Sequence, residues 1–281
     1  MPTQREVISA QFTAGLYGLG LLRSWPYLDA ETAAERLAQL EHAAADPARE
    51  LLDVLDTSPG YAVWAATYDT RVNPLLVAEQ PTISTVLENV PPGRALDAAC
   101  GTGRLTRVLL DAGHAVTAVD ASDDMLSRAR AVAPGATYRV ASLQQLPFPD
   151  ASFDVVSCGL ALTHVDELRP VMNEFARVLV DGGRVITSDV HPVAVATGAH
   201  AFFRRPDGSR CVVRNAVHWH GEYLDAFADA QLRVGRCIEP RFSEEVLDAF
   251  VGRDGASALE HLIGLPCVLI WECIREQRDA G

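Results

Sequence analysis

The stretch Ala95–Thr106, ALDAACGTGRLT, decides how this chain of 281 residues is read. It opens on apolar residues that suit a buried strand and reaches an acid at Asp97. It then crosses glycines at 101 and 103 and enters a helical pattern at Arg104. A strand, a glycine turn and a helix start together make an anion or nucleotide site. The helix N-terminus offers unpaired N–H groups and partial positive charge, and glycine lets a ligand approach the backbone. The same pattern also serves backbone geometry alone in many strand–helix turns. Two dinucleotide alternatives fail on the letters. A phosphate loop needs GxxxxGK[ST], which is absent. A nicotinamide fingerprint needs a third glycine, and Thr106 stands in its place.

Working outward, residues 81–190 alternate strand and helix patterns. RALDAAC, HAVTAVD, ATYRVA, FDVVSCGLAL and GRVITSDV read as strands. GRLTRVLLDAG, ended by Gly113, SDDMLSRARAVAPG, with Ser122 as N-cap, and ELRPVMNEFARVLVDGG read as helices. Such alternation implies parallel pairing with right-handed crossovers. Upstream, DAETAAERLAQLEHAAADP predicts a helix capped by Asp29, and PARELLDVLD a second one starting near Pro47. The aromatic segment YAVWAATYDTRVNPLL closes that zone. Downstream, residues 191–222 form a long irregular segment whose four histidines and Phe202–Phe203 suit a folded lid. EYLDAFADAQ, SEEVLDAFVGRDG and ASALEHLIG then read as helical, LRVGRCIEP and PCVLIWECIRE as strands.

Hydrophobic residues make up 48% and charged residues 22%, an ordinary globular balance. The formal net charge of −13 disfavours nucleic acid and anionic membranes as partners. Arg204, Arg205 and Arg210 read as a solvated loop. Cysteines at 100, 158, 211, 237, 267 and 273 form no CxxC pair, which points to a reducing compartment. MPTQREVISAQF lacks the pattern of a signal peptide, and no apolar run approaches the ~20 residues that span a bilayer. A cytoplasmic protein is expected.

Asp97-x-Ala99-x-Gly101-x-Gly103, followed by AVTAVDASDDML and SLQQLPFPDASFDVVSCGLALTHV, resembles the motifs of the class I S-adenosylmethionine-dependent methyltransferases, in their small-molecule branch. The resemblance covers roughly residues 60–190. It implies an α/β fold: a Rossmann-like, doubly wound, mostly parallel seven-stranded sheet. A helical cap at 1–80 would precede a methyltransferase domain at 81–281, with a lid after strand five at 191–222. The implied cofactor is S-adenosylmethionine, with S-adenosylhomocysteine as product. Asp97, Ala99 (where the family often has glycine), Gly101 and Gly103 would hold its methionine end. Asp120 would accept the ribose hydroxyls, with Ala121 beside it and Met125 flanking the adenine. Ser142 stands where the family usually has an acid near the adenine amine, which leaves the contact to Leu143 through its backbone. Cys158 is a further candidate for contact with the cofactor. Tyr68, in the segment TYD, would close over the methionine end, or else belong with Tyr61 and Trp64 to core packing between cap and sheet.

An activated methyl donor needs its acceptor brought in line and water excluded. Oxygen and nitrogen acceptors call for a base. His164, after strand four, is the candidate base, its alternative role being structural. His191, after strand five, either binds substrate or shapes the turn before Pro192. His218 and His220, around Trp219, read as polar tips of the lid, and no metal site is expected. The expected function is methyl transfer to an O, N or C atom of a small organic molecule, in specialised metabolism. The alternatives are a non-methylating rearrangement on the same fold, or methylation of a macromolecule. The latter is disfavoured by the net charge and by CGLALTH in place of an Asn-Pro-Pro-aromatic motif. The expected partners are a small-molecule substrate and a second copy of the chain in a homodimer, with no nucleic acid and no membrane.

Overall fold

The computed structural model describes residues 3–8, 10–70, 73–249 and 256–277. Its strands are β1 Thr3–Ile8, β2 Arg49–Leu55, β3 Arg94–Ala98, β4 Ala115–Asp120, β5 Thr137–Val140, β6 Phe153–Gly159, β7 Leu179–Val190, β8 Ala201–Arg204, β9 Arg210–Val213, β10 Leu232–Ile238 and β11 Val268–Arg275. Its helices are α1 Ala10–Ser24, α2 Ala30–Ala44, α3 Thr57–Trp64, α4 Pro74–Glu88, α5 Arg104–Asp111, α6 Asp123–Val132, α7 Leu168–Val178, α8 Pro192–Ala196, α9 His220–Asp229 and α10 Glu244–Asp248.

Seven strands form the main sheet in the order β10-β11-β7-β6-β3-β4-β5. All pairs are parallel except those of β11, which runs antiparallel to both β7 and β10. The inner strands β3, β6 and β7 are buried on both faces, which is why they read as apolar runs. Edge strand β10 exposes Arg233 and Arg236 and buries only its start at Leu232. One face is covered by α7 and α9, with Phe175, Tyr223, Phe227 and Trp271 in its core. The other packs Ile83 and Leu87 of α4 and Leu105 and Leu109 of α5. Asp29 caps α2 by accepting from Thr32 N at 2.8 Å, and Ser122 caps α6 from Met125 N at 3.3 Å.

A second sheet, β1-β2-β9-β8, was not legible in the sequence. Two of its strands come from residues 3–55 and two from the segment after β7. The helix expected from Pro47 is instead the strand β2. Residues 51–55 (LLDVL) carry apolar residues at spacings that suit either element, and tertiary pairing to β1 and β9 decides between them. The segment 191–222 holds a short helix and two strands rather than irregular chain. Residues 250–255 of the helix expected in SEEVLDAFVGRDG lie outside the described residues. Helix α3 rests on the second sheet so closely that a Cβ on Gly60 would stand 2.3 Å from Val213 Cγ2. Among the described residues no helix is long and apolar enough to cross a membrane.

Candidate functional site

The turn after β3 bends through three left-handed residues, Ala99 (φ 54°), Gly101 (φ 54°) and Gly103 (φ 90°). An alanine in that region is strained and persists only where its surroundings hold it. Here Cys100 N donates to Val119 O and Gly101 N to Asp120 Oδ2, both at 2.9 Å, so the turn is tied to the end of β4. The two glycines serve different ends. A Cβ on Gly101 would meet nothing within 4 Å, because that face opens on a cavity. A Cβ on Gly103 would stand 3.1 Å from Ala129 Cα, so Gly103 lets α5 pack on α6.

The cavity has a volume of about 770 Å³ and lies at the carboxyl ends of β3, β4 and β6. That falls within the roughly 300–1,000 Å³ usual for small-molecule sites. Asp120, Ala121, Met125, Ser142 and Leu143 form one wall, and Tyr61, Tyr68 and Asp69 form another. Asp97, Ala99, Gly101 and His164 also line it. Three sequence candidates stand apart from it. Gly103 is taken up by helix packing. Cys158 is fully buried in the core of β6, and burial pushes its thiol well above the usual range. His191 lies beyond the cavity wall. A shallower depression of about 370 Å³ at the opposite edge of the sheet includes Arg94, already paired with Asp154 at 3.0 Å.

Asp97 is 1% exposed and accepts from Thr106 Oγ1 at 2.6 Å and Ser157 Oγ at 2.9 Å. Burial pushes its carboxyl up to about 6 against those hydrogen bonds. Asp120 accepts one backbone N–H on each oxygen, from Gly101 and Ser122, both at 2.9 Å. A carboxylate has about four lone-pair sites, so two remain for a diol. Thr102 Oγ1 donates to Asp69 Oδ1 at 3.1 Å and ties the turn Tyr68–Thr70 to the glycine turn. Burial raises the Tyr68 phenol to about 12. Tyr68 stacks edge-on to Trp64 at 4.9 Å, and Trp64 lies flat on Phe203 at 4.9 Å. Tyr68 therefore joins the cavity to the aromatic packing beneath the second sheet.

His164 ends the turn Leu162–His164 after β6. Its Nε2 lies 2.7 Å from Tyr61 Oη and its Nδ1 3.4 Å from Arg214 O. Burial lowers it to about 4, so the ring is neutral at physiological pH. The turn is strapped from outside by residues 214–218: Ala216 N donates to Thr163 O at 2.7 Å, and His218 Nε2 meets Val165 O at 2.9 Å. The segment 191–222 thus braces the loop that carries His164.

His191 caps α8, its Nδ1 accepting from Val193 N at 3.1 Å. Its Nε2 and that of His220 both lie 3.0 Å from Glu239 Oε1. Such a trio has the residue types of a metal site. His191 Nδ1 already serves as the cap of α8, and the Glu239 carboxylate joins the end of β7, the start of α9 and the end of β10.

The sequence reading missed a buried ion pair beside the cavity. Glu79 of α4 is 0% exposed, meets Arg104 Nη2 at 2.7 Å and accepts from Ser188. Gln80 Oε1 takes a second Arg104 nitrogen at 2.5 Å. Glu79 sits in VAEQP, which carries no mark of burial. Tyr61 was read only as part of an aromatic stripe.

The family model described as a methyltransferase domain matches residues 96–187. The malonyl-[acyl-carrier protein] O-methyltransferase of Erwinia pyrifoliae is 40% identical over 106 residues, 37% of this chain and 40% of that one. The chain spans only 38–40% of the length of the first such relatives. The phosphatidylethanolamine N-methyltransferase of Cereibacter sphaeroides is 32% identical over 191 residues, 63% of this chain and 87% of that one. Among solved structures, an S-adenosylmethionine-dependent methyltransferase from Mesorhizobium loti superposes with a TM-score of 0.55 at 23% identity, covering 72% of this chain and all of that one.

Proposed function

The chain belongs to the class I S-adenosylmethionine-dependent methyltransferases, and from that premise we propose that it transfers a methyl group from S-adenosylmethionine to an O, N or C atom of a small organic molecule. One observation carries the reading: a single cavity joins the open face of Gly101 and the strand-end carboxylate of Asp120 to the neutral pair Tyr61 and His164. The cofactor would supply an electrophilic methyl group. Asp120 would hold the ribose with its two remaining lone-pair sites, between Ala121 and Met125. Ser142 and Leu143 would border the adenine. Asp97 already satisfies Thr106 and Ser157, so its part is to fix the turn and offer its remaining capacity to an ammonium group. Tyr68 and Asp69 would close the methionine end. The region 1–80 acts as a cap, residues 81–281 as the transferase domain, and 191–222 as a brace on the His164 loop. The six free thiols support a cytoplasmic setting.

The named relatives act on a malonyl carrier protein and on phosphatidylethanolamine, so their acceptors differ from one another. The acceptor here has to be found directly. Saturating S-adenosylhomocysteine should raise the melting temperature, since a ligand at 100 times its Kd stabilises by about 2.7 kcal/mol. Incubation with S-adenosylmethionine and a panel of hydroxyl, amine and carboxylate acceptors should give products heavier by one methylene. A shift with NAD but none with S-adenosylhomocysteine defeats the proposal. Products of unchanged mass favour rearrangement instead.

A further inference from the structure

Tyr61 was no part of the expected site, yet its placement bears directly on proton movement. It lies on the face of α3 that lines the cavity, 2.7 Å from His164 Nε2. The two rings meet edge-on, with centroids 5.1 Å apart at 73°. His164 Nδ1 faces a carbonyl oxygen, that of Arg214. An acceptor there places the single ring proton on Nδ1 and leaves Nε2 with its lone pair. Tyr61 therefore donates its O–H to Nε2. The basic nitrogen of His164 is occupied, and a group in the cavity reaches it only through the phenolic oxygen.

Resting on the methyl-transfer reading above, we infer that Tyr61 is the catalytic residue that receives the acceptor's proton, and that His164 acts through it as the positioning residue and final proton holder. As the acceptor atom's lone pair forms its bond to the methyl carbon, the carbon–sulfur bond breaks and its electron pair stays on sulfur. The acceptor's proton moves to Tyr61 Oη, and the proton already on Tyr61 moves to His164 Nε2. One positive charge leaves the sulfonium and one appears on the imidazole. The buried site thus gains no net charge, which matters where water is excluded. Burial keeps both partners in the required form at the start, the phenol protonated and the imidazole neutral.

Two experiments test the relay. In the S-adenosylhomocysteine complex with isotope-labelled histidine, nuclear magnetic resonance should find His164 protonated at Nδ1 and bare at Nε2. The Nε2 signal should move in Tyr61→Phe. A proton on Nε2 in the wild type overturns the inference whatever the acceptor. The second experiment compares methylation of phenol, which must lose a proton, with para-nitrophenol, which enters ionised at mildly alkaline pH. Tyr61→Phe and His164→Gln should each lower kcat on phenol by roughly 10²–10⁴-fold, the span of general acid–base catalysis. The loss on para-nitrophenol should be at least tenfold smaller. Equal losses on both, or wild-type transfer to neither phenol while S-adenosylhomocysteine still binds, overturn the relay alone. Absence of S-adenosylhomocysteine binding in the wild type sinks the methyl-transfer reading itself.

Discussion

At the scale of single residues, His164 ties function to stability. Its folded pKa of about 4 lies below the reference value of 6.5. Between those values the unfolded chain binds a proton that the folded chain refuses. The stability this gives is present above pH 6.5 and is lost as pH falls towards about 4, amounting to about 3 kcal/mol at most. Denaturation of His164→Asn across that window should show a shallower pH slope than the wild type. An unchanged slope would mean that the imidazole titrates normally. The acid limb of any rate profile should likewise fall near the lowered value rather than near neutrality. Asp120→Ala should weaken S-adenosylhomocysteine binding by roughly 1.5–3 kcal/mol, the range for hydrogen bonds to a charged group. Calorimetry that finds equal affinity removes Asp120 from the ribose site. The family resemblance could point to Asp120 and Met125 because both lie within one short stretch, and both line the cavity. The pairing of Tyr61 with His164 spans 103 residues, and neither local sequence predicts the other.

Among the elements, legibility follows the source of the stabilisation. The inner strands β3, β6 and β7 are buried on both faces, so their apolar runs announce them. Ser122 and Asp29 announce helix starts because capping is local. β2 is different, because residues 51–55 fit either element and partners more than a hundred residues away choose the strand. Its neighbour α3 gives a sharp test of how that sheet bears on the cavity. Gly60→Ala sets a methyl group 2.3 Å from Val213 Cγ2. Overpacking of this kind typically costs 1–3 kcal/mol, roughly. Either the Val213 side chain or α3 must give way, and a shift of α3 would carry Thr57, Ser58 and Tyr61, which line the cavity. Adding Val213→Ala should restore most of the loss in a double-mutant cycle. Independent, additive effects would show that α3 does not rest on β9 at this point.

Across the whole molecule, both sheets bear on the cavity wall, one directly and one through α3. The main sheet supplies the glycine turn and Asp120. The second supports α3, and the stacked pair Trp64 and Phe203 joins them. Cofactor binding should therefore slow hydrogen exchange beyond the residues that touch it. Protection is expected in residues 98–125, in α3, and in β2 and β9. Protection confined to 98–125 would show that the second sheet is energetically separate.

The parallel pair β2 and β9 also sets a schedule for the nascent chain. Glu50 reaches its partner Arg210 across 160 residues. At ribosomal speeds of about 5–20 residues per second, one edge of β2 stays unpaired for roughly 8–30 s. During that interval Leu51, still 58% exposed in the finished fold, lies on an open strand. An unpaired edge is a template for other chains. The α3 wall of the site thus gains its support only once β9 has been made, and until then β2 is a strand in need of a chaperone.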